Sequence, residues 1–177
     1  MKNLKVTLSI ASILLLAAFT FHSSTNWQIA EDYSIKFTSD DPSGVFTKLK
    51  GDISFDPQNL SASKFDLKVE VSSISTGNGI KNRHAKSKKW FDADKFPNIH
   101  FVSSKFIKTD KGYSVMGNLS IHGVTKEFTM PFTFVKNTFT SSYMINRLDF
   151  KIGTREGMSA KVPAELLVEI SVPVSKL

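Results

Sequence analysis

The chain has 177 residues, 41 % of them hydrophobic and none of them cysteine, with a formal net charge of +7. That hydrophobic share supplies one globular core and is too low for a polytopic membrane protein. The missing cysteine excludes disulfides, thiolate metal sites, a cysteine nucleophile and a lipid-modified N-terminal cysteine.

Lys2 and Lys5 precede an uncharged apolar run from Val6 to Phe21, followed by Ser23, Ser24 and Thr25. The run is short for a spanning helix, so residues 1–25 are expected to be a secretory signal peptide, with an uncleaved anchor as the alternative. Residues 26–177 are then one domain, expected in the periplasm or secreted. That domain stays basic without Lys2 and Lys5. A basic exported domain favours anionic membrane surfaces or acidic polymers over nucleic acid, and ordinary solubility charge is the simpler account.

Tyr33, Ile35 and Phe37 alternate with Ser34 and Lys36, as on a strand with one buried face. Asp40 to Gly44 reads as a turn, and Val45 to Phe55 resumes as strand, with Gly51 permitting a bulge. Phe65, Leu67, Val69 and Val71 alternate with Lys64, Asp66, Lys68 and Glu70, so this strand meets solvent on one side. Ile80 to Lys95 breaks the pattern and reads as a loop with a short helix. It carries the densest basic cluster, Lys81, Arg83, Lys86, Lys88 and Lys89, which suits a solvated loop or a rim facing a membrane.

Pro97 disfavours helix at Phe96, so a strand starts there with Ile99 and Phe101 inward. Phe106 falls out of phase, which predicts a bulge. Tyr113, Val115, Leu119 and Ile121 mark the next strand, and Phe128, Met130, Phe132 and Phe134 the one after. Phe139 to Ile152 is strand-like without a settled phase, and Leu166 to Val174 alternates again. About eight strands without long helices predict an all-β, antiparallel barrel, and eight is the number at which a closed sheet fills its interior or holds one small ligand. Phe65, Leu67, Val69, Val115, Leu119, Phe128, Phe132, Leu166, Val168 and Ile170 are expected to face inward.

Trp90-Phe91-Asp92-Ala93, followed by Phe96-Pro97-Asn98-Ile99-His100-Phe101-Val102-Ser103-Ser104, resembles the "FFD…P…F.S" signature of YceI-like proteins. Gly117-Asn118-Leu119-Ser120-Ile121-His122-Gly123-Val124-Thr125-Lys126 is similar to the family's "G.L.I.GVT" block, and Ile74-Ser75-Thr76-Gly77 to its "S.TG" turn. The resemblance runs from about Trp27 to Val174. It implies a lipocalin-like barrel that holds a long isoprenoid or similar lipid.

The polar residues offer little directed chemistry. No two histidines share a helix face or alternate strand positions as metal ligands would, although His100 and His122 could pair across neighbouring strands. No serine sits in a Gly-x-Ser-x-Gly elbow, and Asp92 and Asp94 lie in a lysine-rich loop. Arg147 and Asp149, two apart on a strand, would share a face and form either an end-cap for a ligand's head or a rim ion pair. They lie in Arg147-Leu148-Asp149-Phe150-Lys151-Ile152, which is similar to the family's "R.DFGI" run with Lys151 where the family carries glycine.

Phenylalanine occurs 15 times against 2 tryptophans and 3 tyrosines, an excess that suits a greasy cavity. Phe37, Phe101, Tyr113, Met130, Phe132 and Tyr143 are the expected lining. Trp90, Phe91 and Phe96 are expected to close one end, with Arg147 and Asp149 capping the ligand. The expected function is binding, carrying or storing a long-chain amphiphile such as a polyisoprenoid, an isoprenoid quinone or a fatty amide. No catalytic residue, metal or cofactor is expected beyond that bound lipid. The rival readings are an extracytoplasmic enzyme acting on a lipid or quinone and a stress-related structural protein with a filled barrel. The oligomeric state is left open, a homodimer included.

Overall fold

The structure, a computed structural model, describes residues 25–177. The expected signal segment, save Thr25, lies outside the described residues. The strands are β1 (Asn26–Ile29), β2 (Ser34–Thr38), β3 (Gly44–Phe46), β4 (Leu49–Ser54), β5 (Lys64–Glu70), β6 (Ile74–Ser75), β7 (Asn98–Thr109), β8 (Gly112–Ile121), β9 (Val124–Val135), β10 (Thr138–Asn146) and β11 (Glu165–Lys176). A helix, α1 (Gly79–Lys86), lies between β6 and β7.

Eleven strands make an eight-stave antiparallel barrel because three staves are broken. β1 resumes as β2 after a turn at Glu31 and Asp32, β3 resumes as β4, and β5 resumes as β6 after a 3-10 turn at Val71–Ser73. β11 pairs with β10 along one edge and gives the other edge to β2 and then to β1. β1 also pairs with β4, which closes the ring. The phase shift before Phe106 is a register shift between Ser103 and Lys105, and it returns Phe106 to the inner face with Phe101.

α1 starts where Asn78 can cap it. The Asn78 side chain accepts from the backbone N–H groups of Ile80 and Lys81, at 2.9 and 3.1 Å, satisfying two donors that a helix start leaves open. The chain then turns back: the Phe91 N–H donates to the Ala85 carbonyl at 3.0 Å and the Phe96 N–H to the Asp92 carbonyl at 2.8 Å.

All ten residues expected to face inward are buried or half-buried. They divide by depth. Phe65, Val115 and Phe132 belong to a closely packed half of the barrel, together with Phe55, Phe106 and Phe139. Phe55 is fully buried, and its ring meets those of Tyr113, Phe132, Phe134 and Phe139 edge-on at 5.2 to 5.4 Å. These are favourable edge-to-face separations. Leu67, Val69, Leu119, Phe128, Leu166, Val168 and Ile170 surround a void in the other half.

One seam lacks a full ladder. β9 and β10 pair only from Val135↔Thr138 to Thr133↔Thr140, whereas β8 and β9 pair from end to end. The ladder stops short of Pro131, which has no N–H to donate. Beyond it the Phe128 and Tyr143 rings span the seam at 5.1 Å between centroids.

On the outer face, the His100 Nε2 lies 2.7 Å from a carboxylate oxygen of Asp66. His100 thus meets Asp66 rather than His122, whose Nδ1 lies 3.2 Å from the Phe150 carbonyl. Register explains the difference: His100 stands opposite Ser120, two residues short of His122. The hydrogen bond to His100, and secondarily its charge, hold the Asp66 carboxyl below its ordinary range. Its stabilising contribution is therefore complete above the ordinary aspartate range and is lost as pH falls through the depressed folded value. Both side chains are a third exposed, so the expected size is roughly 0.2–1 kcal/mol. Asp66→Asn should lose that much at neutral pH and match the parent in strong acid, as read by denaturant melts across pH. A gap that does not close in acid would sink this account.

Candidate functional site

The void in the hollow half has a volume of about 630 Å³, within the range of small-molecule sites. Its wall is apolar because period-2 alternation turns one face of each strand inward. β5 supplies Leu67 and Val69, β9 Phe128 and Met130, and β11 Leu166, Val168 and Ile170. Each of these strands then continues into the packed half with another inward residue: Phe65, Phe132 and Val172. The aromatic cluster thus forms the floor. Gly117 sits at the boundary, where a Cβ would come within 2.8 Å of the Phe101 ring.

Phe37, Phe101, Met130 and Tyr143 line the void, and so do Trp90, Phe91 and Arg147. Tyr113 and Phe132 do not. They stack on each other at 5.3 Å inside the packed half, because their register, Tyr113↔Phe132, places them beyond Val115↔Met130 toward the floor. Phe96 is also elsewhere. It packs on His122 at 5.1 Å and covers Gly123, so it seals the β8–β9 hairpin from outside.

Arg147 and Asp149 do not act as a pair. β10 ends at Asn146, whose side chain accepts from the Leu148 N–H at 3.0 Å and starts a 3-10 helix over Arg147–Phe150. Helical rotation sends the two side chains apart. Asp149 is exposed and lies 3.4 Å from Lys126. Arg147 is 3 % exposed and spends its guanidinium on carbonyls: Ile152 at 2.6 Å, Ser159 and Val162 at 2.8 Å, and Pro163 at 3.0 Å. Its guanidinium also lies 5.3 Å from the Trp90 ring. Burial first, and the charge of Arg155 second, work against its cation. Lys151 adopts the left-handed conformation itself (φ 57°, ψ 28°) where the family's motif has glycine; a residue with a Cβ accepts this at a cost of about 1–2 kcal/mol.

Arg147 therefore pins residues 152–163 over the open end of the barrel. Arg147→Met keeps the stem and removes the donors. Stability should fall by about 1–3 kcal/mol, and amide exchange should accelerate across residues 152–163 while β7 and β8 keep their protection. Unchanged exchange in that segment would show that it holds without the arginine.

Two hydroxyls beside the void have no hydrogen-bond partner among the described residues. The Ser159 Oγ is fully buried. The Tyr143 phenol faces apolar neighbours, and burial raises its pKa. The mouth carries Lys81, His84 and Lys89 from the α1 segment and Lys161 from the pinned segment. The sequence alone indicated neither Ser159 nor Lys161, since nothing local marks residues 152–163 as a cover. The usable signals were Pro131 for the seam and Asn146, a side chain suited to start a turn, for the end of β10.

The sequence model of the YceI-like domain matches residues 20–174. A UPF0312 protein of Vibrio vulnificus is 33 % identical over 161 residues, covering 84 % of this chain and 81 % of that one. Among solved structures, Burkholderia cenocepacia BcnA superimposes with a TM-score of 0.77 at 26 % identity, over 84 % of this chain and 99 % of its own. A polyisoprenoid binding domain from Saccharophagus degradans superimposes with a TM-score of 0.63 over 88 % of this chain and 100 % of its own, and at 13 % identity it speaks for the fold alone. The matched residues run from ahead of β1 into β11 and so take in every stave of the closed barrel: the chain belongs to the YceI-like family.

Proposed function

We propose that the protein binds a long-chain amphiphile, tail inside the hollow half of the barrel, and carries or stores it outside the cytoplasm. The observation that carries this reading is the apolar void of about 630 Å³ in a barrel whose other half is closely packed. Protein interiors ordinarily leave few voids larger than a water molecule. An alkyl or isoprenoid tail gains about 0.8 kcal/mol for each methylene it buries, less the entropy lost on binding. Such a wall serves binding rather than catalysis. A polyisoprenoid, an isoprenoid quinone and a fatty amide all belong to this class. The solved structure described as a polyisoprenoid binding domain shows that a barrel of this fold can take such a chain.

The apolar run after Lys2 and Lys5 supports export. N-terminal sequencing of the mature protein should find a start between Phe19 and Trp27, and a chain retaining Met1 would mean an anchor instead. The basic residues of the α1 segment support transient contact with an anionic membrane surface; co-sedimentation with anionic vesicles, lost at high salt, is the expected result. The function itself is tested by native mass spectrometry and lipid extraction of protein made in its own host. A lipid recovered chemically unchanged supports carriage or storage. Protein that arrives empty and takes up no lipid would remove the reading.

A further inference from the structure

The wall of the hollow half is not closed all the way round. β8 and β9 pair from Ile121↔Val124 to Tyr113↔Phe132, and β10 and β11 from Asn146↔Glu165 to Thr138↔Pro173. Between β9 and β10, no ladder pair and no backbone hydrogen bond joins the described residues from Pro131 up to the mouth. Pro131 is where the ladder fails. Its carbonyl accepts from the Ser141 hydroxyl at 2.5 Å, so it faces β10. A paired strand residue turns its N–H and C=O to the same neighbour, and proline has no N–H to give.

The gap is bounded. Ser141 and Pro131 stitch its lower end, and at the rim the Lys126 Nζ lies 3.4 Å from Asp149, with both side chains about half exposed. An exposed pair of this kind holds weakly. Between these limits the opening is filled by the Phe128 and Tyr143 rings, which cross at 62° and also line the void. The Tyr143 phenol has no hydrogen-bond partner among the described residues. Swinging the two rings apart therefore breaks no hydrogen bond, whereas parting a full ladder breaks several. Outside, Met144 is 54 % exposed and stands opposite Leu167 on β11, so the outer wall beside the gap is apolar too.

The other way in is different. The mouth is lined by Lys81, His84, Lys89 and Lys161, and the segment over it is tied to Arg147 and, through the Gly153 N–H, to the Lys89 carbonyl at 3.1 Å. An apolar chain entering there passes charged groups and a fastened cover. At the side it passes Phe128, Met130, Tyr143 and Ile145. We infer that the β9–β10 gap is a second, lateral opening of the site, through which an apolar chain enters and leaves, with Phe128 and Tyr143 as its gate. This rests on the reading of the void as a lipid site and adds a route to it.

The test closes and opens the gap and reads the kinetics of cis-parinaric acid, a fluorescent straight-chain polyene, with delipidated protein. The chain has no cysteine of its own. Thr129→Cys/Met144→Cys places thiols at exposed positions that would stand opposite each other if the Thr133↔Thr140 register ran on. Linked by 1,2-ethanediyl bismethanethiosulfonate, this variant should take up and release the probe at least about tenfold more slowly, as when binding must await a rare opening. Its affinity should change little, since a passage alters both rates together, and dithiothreitol should restore them. The control, Asn118→Cys/Glu127→Cys, links exposed partners across the fully paired β8–β9 seam and should change neither rate. Phe128→Ala should speed association as well as release, whereas Leu67→Ala, on β5 in the opposite wall, should speed release alone. Unchanged rates in the linked Thr129→Cys/Met144→Cys protein, or no faster association in Phe128→Ala, would overturn the lateral route and leave the lipid site standing. The Phe128→Ala comparison needs no linkage and decides by itself if the thiols do not join. If the parent protein takes up no probe at all, the lipid site and this inference fall together.

Discussion

Phe55→Ala should destabilise the ligand-free protein by about 3–5 kcal/mol, the usual cost of truncating a buried phenylalanine. Phe55 is fully buried where seven aromatic rings converge. Removing the ring deletes apolar burial and leaves a cavity that its neighbours can fill only by leaving their own edge-to-face positions. Each kcal/mol is worth roughly 2–4 °C in a domain of this size, so both thermal and denaturant melts will resolve the loss. Lipid binding by the fraction still folded should change little, since Phe55 does not reach the void. A loss under about 1 kcal/mol would mean that this half is also loosely filled, and the division of the barrel would fail.

Met130→Trp should do the reverse, abolishing lipid binding with little change in the melting temperature of delipidated protein. Met130 faces the void from β9, two residues before Phe132 on the same face. An indole there projects into empty space and across the path of a tail. The matched control is Phe132→Trp, where added volume meets packed rings and should cost about 1–3 kcal/mol. Both variants are compared without ligand, because bound ligand raises apparent stability by mass action. If Met130→Trp costs as much as Phe132→Trp, the void is not open in solution and the carrier reading fails. If it binds lipid normally, the tail lies elsewhere.

The barrel was legible in the sequence because its strands are exposed on one face and buried on the other. Phe65, Leu67 and Val69 alternate with Lys64, Asp66 and Lys68, and such alternation can be satisfied only by a sheet with one dry side. The bulge before Phe106 and the strand start after Pro97 were legible for local reasons, a break in phase and a proline. The family's motifs agreed with that reading from end to end.

Depth was not legible. Phe101 and Phe132 look alike in the sequence, both inward-facing phenylalanines on alternating strands. Alternation assigns a residue to a face but says nothing about its height along the barrel axis. Height follows from how the staves are staggered, and that stagger placed Tyr113 and Phe132 in the floor while Met130 and Tyr143 stayed in the void. The end of β10 was hidden for another reason. Arg147 and Asp149 would share a face only if the strand continued, and the Asn146 side chain starts a 3-10 turn that separates them. The carbonyls that capture Arg147 come from residues 152–163, a segment with no period of its own. The sequence by itself determined which side of each strand is dry. Only the closed, staggered sheet decided which dry residues pack on one another and which leave room for a ligand, because that choice depends on contacts between staves far apart in the chain.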